Sequence, residues 1–177
     1  ESSTEQIVAV FNDMSERKDA EEVIARQATY DLLTGIPNRA LFIDRLSQET
    51  LRASRSEQGV ALIFIDLDGF KKVNDTLGHS TGDDVLRLTA ERIKQSIRDV
   101  DTAARVGGDE FAVIMPETGR EGLEVFAERI RRGIEEMIIS YDQASLQVTI
   151  SVGGATFNGK NPQTDKRTMF GAADKAI

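Results

Sequence analysis

Cysteine is absent from the 177 residues, tryptophan is absent too, and the one histidine is His79. Without Cys there is no disulfide and no thiolate metal site, and a single His cannot build a His-rich zinc site. Metal chemistry would have to use oxygen ligands, which suits Mg²⁺ or Mn²⁺. Aromatic residues make up only 6% of the chain, which argues against stacking platforms for single-stranded nucleic acid. Positive charge is also short. The 22 Lys and Arg stand against 30 Asp and Glu, giving a net charge of −8 and an isoelectric point near 4.8. That is the opposite of a footprint for a nucleic acid polymer. A small polyanion stays within reach if a divalent metal and backbone N–H groups offset the repulsion. No apolar run approaches the roughly 20 residues of a membrane span. No signal peptide is visible, so a cytoplasmic setting is expected, and Glu1 suggests a chain cut from something longer.

What is present is ordinary: 40% hydrophobic and 29% charged residues, enough for one globular domain with a real core. Ile7 to Phe11 reads as a short strand, and Met14 to Tyr30 as a sparse amphipathic helix that needs a partner. Gly35 and Pro37 punctuate a loop, and Asn38 is placed to cap a helix from Arg39 to about Ala53. Gly59 to Leu67 is nearly continuous apolar, as expected of a central strand buried on both faces. Lys71 to Asp75 predicts a short helix closed by Gly78, followed by a second helix to about Ile97 capped by Ser80 or Thr81. Two apolar runs, Thr102 to Val106 and Phe111 to Met115, flank Gly107-Gly108, which predicts a tight hairpin with positive φ. Thr118-x-x-Glu121 reads as a capping box, opening a helix whose apolar stripe runs from Leu123 to Ile138. Leu146 to Ser151 alternates like a half-buried strand, with Gly153-Gly154 interrupting it, and Arg167 to Ile177 begins a last helix. The order is α, β, α, α, β-hairpin, α, β, α. Hairpin pairing argues against a doubly wound parallel sheet. The expected class is α/β (α+β), a mostly antiparallel central sheet flanked by helices.

The chemistry gathers around carboxylates. Asp66 ends the dry strand, and a buried charge must be paired or bind metal. Asp68 reads either as a cap for the next helix or as part of the same cluster. The helix beginning near Phe70 offers free N–H groups and a positive dipole end, a natural phosphate seat with Lys71 beside it. If the hairpin pairs beside the Gly59–Leu67 strand, Asp66 converges with Asp109 or Glu110, a geometry suited to phosphoryl or nucleotidyl transfer. Taken alone, Gly107-Gly108-Asp109 is also ordinary surface-turn chemistry. Asn74 and Asp83 carry the acceptors and donors that could read a base edge. Arg98-x-x-Asp101 reads on its own as a salt bridge at a helix end.

These residues carry a family resemblance. Arg105 to Phe111 resembles the name-giving motif of the GGDEF family of diguanylate cyclases. Asp66-x-Asp68-x-Phe70-Lys71-x-x-Asn74-Asp75, Asp31-x-Leu33-Thr34-Gly35-Ile36-Pro37-Asn38-Arg39 and Gly78-His79-x-x-Gly82-Asp83 resemble three further family motifs, in the right order. The resemblance implies a nucleotidyl cyclase or polymerase palm-like fold over 31–177. It also implies condensation of two GTP into cyclic di-GMP and two pyrophosphates, across two domains that face each other as a dimer. It implies Asp66, Asp109 and the Leu67 carbonyl as metal ligands, and Glu110 as a further ligand or as the group that helps deprotonate the 3′-OH. Asn74 and Asp83 would recognise guanine. The Phe70 and Lys71 N–H groups would hold phosphates, the Lys71 side chain would stabilise developing charge, and Gly107 and Gly108 would let the nucleotide lie against bare backbone. Arg98 and Asp101 would form a product-inhibition site. His79 reads as structural, and Arg105 as orienting the hairpin. Residues 1–12 resemble the last strand of a PAS sensor domain, with 13–30 a signalling helix. Family members continue past the Ala173-Asp174 region with a Lys and an Arg that contact phosphate, positions that lie past Ile177. The alternatives are a regulatory module that binds GTP or cyclic di-GMP without turnover, or a purely structural dimerisation domain.

Overall fold

The computed structural model describes residues 26–56, 58–141 and 144–157. Ten named elements follow in order: α1 (Arg39–Ser56), β1 (Val60–Leu67), α2 (Phe70–Leu77), α3 (His79–Ser96), β2 (Thr102–Arg105), β3 (Glu110–Pro116), α4 (Arg120–Glu135), β4 (Ile139–Tyr141), β5 (Ala144–Leu146) and β6 (Ile150–Phe157). The main sheet has four strands in the order β2-β3-β1-β6, and every pairing in it is antiparallel. This is the expected α/β architecture. The expected strand from Ile7, most of the helix from Met14 and the helix from Arg167 lie outside the described residues.

The period-2 pattern of the strands divides the core in two. Ala61, Ile63, Ile65 and Leu67 of β1 join Phe111, Val113 and Met115 of β3 against α3 and α4, through Val85, Leu86, Ile93, Phe126, Ile130 and Ile134. Val60 and Leu62 point the other way, with Ala112 and Ile114, onto Phe42 and Leu46 of α1. Each large apolar side chain that is fully buried in this way contributes about 1.5–3 kcal/mol. β1 is thus dry on both faces, and α1 lies opposite α3 and α4.

Local signals were read correctly where no distant partner competes. Asn38 caps α1, its Oδ1 accepting from the N–H groups of Ala40 (3.0 Å) and Leu41 (3.1 Å). Five expectations change. Gly78, not Ser80 or Thr81, precedes α3 at φ 85°, and Thr81 donates its hydroxyl to the Leu77 carbonyl instead. Thr118 forms no capping box: α4 starts after Gly119, and the Thr118 hydroxyl serves Pro116 and Arg98. β6 runs unbroken through Gly153-Gly154, because β1 pairs with it along its whole length. Gly107 and Gly108 are not at positive φ; among the described glycines only Gly35, Gly69 and Gly78 are. At the end of α4, Met137 is buried while Ile138 is 67% exposed, so the apolar stripe stops short of Ile138. The β4–β5 hairpin was not anticipated.

Candidate active site

The end of β1 sets the site. Asp66 stands opposite Glu110 across the β1–β3 ladder, and directly paired residues share a face of the sheet. The Leu67 N–H donates to the Asp109 carbonyl at 3.3 Å, which ties the hairpin loop to the strand end. Asp66 is half-buried, and its carboxyl is held above the ordinary range by burial first, then by the charges of Asp109, Glu110 and Asp68. Among the described residues no cation or donor offsets this repulsion. An uncompensated oxygen cluster of this kind fits a hard divalent cation. The carboxylates do not form a finished cage, since no three of them close on one point among the described residues. Two facing carboxylates leave the rest of a divalent cation's shell to water and substrate phosphate.

The hairpin turn is held by its own arginine. Val106 and Gly107 donate their N–H groups to the Glu110 carbonyl at 2.9 and 3.3 Å. Arg105 reaches over the loop, with Nε and Nη2 donating to the Gly108 carbonyl at 3.1 and 2.6 Å. Its Nη1 donates to both oxygens of Asp31 at 3.2 Å. Arg105 therefore orients the hairpin, as its position suggested. The need for glycine at 107 is spatial: a Cβ there would collide with the Glu110 carboxylate. At Gly108 a Cβ would meet nothing, so the backbone is open on that side.

Beyond Asp68 the chain turns through Gly69, at φ 68°, into α2. Asp68 does not cap that helix. Its carboxylate accepts hydroxyl hydrogen bonds from Thr149 (2.6 Å) and Ser151 (2.7 Å), and its N–H donates to the Thr149 carbonyl. Sequence reasoning missed both hydroxyls, because they arrive from Thr149 just before β6 and Ser151 within it, 81 and 83 residues away. Phe70 and Lys71 open α2, so their N–H groups belong to the free first turn of the helix. The Lys71 side chain is exposed, Asn74 is half-buried on α2, and Asp83 is half-buried on α3. His79 is the exposed first residue of α3.

Arg98 and Asp101 form a second cluster. Asp101 is turned inward with its side chain 1% exposed, while the Arg98 side chain is 51% exposed. Asp101 accepts from the Arg98 N–H (2.9 Å), Nε and Nη2 (2.7 Å). The Arg98 Nη2 also donates to the Pro116 carbonyl and the Thr118 hydroxyl. A pocket of about 280 Å³ beside it is lined by Arg98, Thr118, Gly122, Phe126 and Arg129. Arg129 was not singled out in the sequence. Its guanidinium lies 5.3 Å from the Phe126 ring centroid and donates to the Ser96 carbonyl at 2.7 Å, which brings a second cation to the pocket.

With this geometry in place, comparison with known proteins is specific. The family profile described as "Diguanylate cyclase, GGDEF domain" matches residues 28–177. The chain belongs to the GGDEF family. Among curated GGDEF relatives, the diguanylate cyclase DgcP of Pseudomonas aeruginosa is 36% identical over 152 residues, 86% of this chain and 22% of that protein. The cyclic di-GMP phosphodiesterase NbdA of the same organism is 35% identical over 143 residues, 81% of this chain and 18% of that protein. The chain therefore spans about a fifth of the length of these two GGDEF relatives. Among solved GGDEF structures, the coiled coil and GGDEF domain of DgcB from Caulobacter crescentus, in complex with c-di-GMP, matches with a TM-score of 0.84. It is 27% identical and covers 99% of this chain and 94% of that one.

Proposed function

We propose that this domain is an active diguanylate cyclase, joining two GTP into cyclic di-GMP with release of two pyrophosphates. The observation that carries this reading is the half-buried Asp66 facing Asp109 and Glu110 with nothing to offset their charge, next to the open first turn of α2. Asp66, Asp109 and the Leu67 carbonyl, with Glu110 as a further ligand, would hold Mg²⁺ or Mn²⁺, which supplies charge neutralisation at the phosphates. The Phe70 and Lys71 N–H groups hold phosphate oxygens, and the Lys71 ammonium offsets charge that develops as pyrophosphate leaves. Glu110 would help remove the 3′-OH proton, and Asn74 with Asp83 would hold guanine. Gly108 leaves the backbone bare where the nucleotide would lie, while the Glu110 side chain occupies that side of Gly107. One domain holds one GTP, so a second copy must present its own to complete the reaction. Product inhibition is assigned to Arg98, whose guanidinium is half exposed beside Arg129. Asp101 anchors that guanidinium and meets a ligand only where Arg98 swings away.

The test is Asp109→Ala in the full-length protein. Cyclic di-GMP synthesis, followed by nucleotide chromatography, is expected to fall to background, and unchanged synthesis would remove Asp109 from the ligand set. A second reading is a regulatory module that binds GTP or cyclic di-GMP without turnover. It is favoured by a matching domain in a relative named as a cyclic di-GMP phosphodiesterase. Calorimetric binding of GTP with no turnover in the full-length protein would establish it.

A further inference from the structure

Gly78 makes a corner between two helices that places Asn74 against Gly82. The Gly78 N–H donates to the Asn74 carbonyl at 3.0 Å, and the Gly78 carbonyl accepts from the Gly82 N–H at 3.3 Å. The two residues therefore stand four positions either side of the corner, one on each helix. Gly82 is buried and follows the ordinary helical course of α3, with no left-handed φ to demand glycine. Glycine inside a helix costs about 0.5–1 kcal/mol relative to alanine. What glycine provides here is space. A Cβ at 82 would overlap the Asn74 carboxamide oxygen, lie 3.0 Å from its Cγ and lie 3.3 Å from the Phe70 ring. Asn74 rests on the bare backbone of α3, and Asp83 is the next residue along.

We infer that Gly82 is a specificity-determining positioning residue: its missing side chain seats the Asn74 carboxamide beside Asp83, so that the two together read the purine of GTP. The inference rests on the reading of Asn74 as a guanine contact. A helix cannot move its own backbone aside to admit a methyl group, so the displaced group is the Asn74 side chain, with Phe70 next to it. Gly82 touches no nucleotide itself. It fixes the rotamer of the residue that does.

Stability and recognition should therefore separate at this position. Gly82→Ala improves helix propensity, so its melting temperature is expected to hold or rise. GTP affinity in the presence of Mg²⁺, measured by calorimetry, is expected to drop about tenfold, the equivalent of losing one hydrogen bond to the base. The preference for GTP over ATP is expected to narrow by a similar factor. Gly82→Ser, of comparable bulk, should repeat the loss and guards against a folding defect peculiar to one variant. The Asn74 side-chain amide resonances of the nucleotide-free Gly82→Ala protein should shift. Asn74→Ala should lose the same tenfold, and the Asn74→Ala, Gly82→Ala double variant should lose no more than either single one. If Gly82→Ala binds GTP as the parent does while Asn74→Ala binds weakly, the positioning role is overturned and the guanine contact stands. If Asn74→Ala binds GTP normally, the guanine contact is itself wrong and the inference falls with it.

Discussion

Asp66 illustrates how a single side chain can lower stability while equipping a site. Its carboxyl is raised by burial and by three neighbouring acids, so the folded state favours its protonated form. The associated stability is fully present below the ordinary value of about 3.8 and is lost as pH rises through the folded value. Near neutral pH the charge therefore opposes folding. Asp66→Asn is expected to raise the melting temperature of the metal-free protein at pH 7, with the gain vanishing in melts run below about pH 3.8, while divalent cation binding is lost. A lower melting temperature at pH 7 would show that Asp66 is already paired. Arg98 is the opposite case. Asp101 is buried and relies on that guanidinium, so Arg98→Ala should cost about 1–3 kcal/mol in chemical denaturation as well as weaken inhibition by cyclic di-GMP. Unaltered inhibition would reduce the pair to a structural salt bridge.

At the level of elements, the turn before α1 and the β2–β3 hairpin behave as one unit. Asp31 accepts from the Thr34 N–H at 2.9 Å and hydroxyl at 2.6 Å, as well as from Arg105. The Arg105 N–H in turn donates to the Pro37 carbonyl at 2.9 Å. Burial pushes the Asp31 carboxyl up, but the Thr34 hydrogen bonds and the Arg105 charge together hold it below its ordinary value. Its stabilising contribution is present above about 3.8 and disappears as pH falls through the lowered folded value. Asp31→Asn should flatten that acid limb and speed hydrogen exchange of the Gly107–Glu110 amides, while leaving the α3 and α4 amides as they were. Uniform acceleration across the chain would point to global destabilisation instead. Elements defined by their own pattern were legible in the sequence: α1 with its Asn38 cap, the dry β1, the two runs around Gly107-Gly108. Those set by a distant partner were not. Thr118 has the spacing of a capping box, yet its hydroxyl is taken by Arg98, 20 residues away. Asp68 has the look of a cap, yet Thr149 and Ser151, at the start of β6, supply two hydroxyls. Glycine pairs read as breaks or positive-φ turns, yet Gly153-Gly154 is carried through by β1, and Gly107 serves to clear room for Glu110. Asn74 and Asp83, proposed as base readers, could be named from the sequence. Gly82 could not, because its role is a space that exists only once the Gly78 corner has formed.

On the scale of the whole molecule, the antiparallel sheet brings Asp66, Glu110 and the Asp109 loop together at one end of β1, next to the first turn of α2. Under the proposed cyclase activity, a reaction that consumes two GTP would ask for two chains, each bringing one loaded half-site. The acidic net charge of −8 suits this only if divalent cations accompany the nucleotide, so binding of GTP should depend steeply on Mg²⁺. The most direct measurement is to incubate the full-length protein, in its dimeric form, with GTP and Mg²⁺ and to resolve the nucleotides that result, once sedimentation has established that form. Cyclic di-GMP and pyrophosphate in a ratio of one to two are expected. Recovery of GTP bound but unchanged would contradict the account and leave the domain a sensor of nucleotide rather than a maker of it.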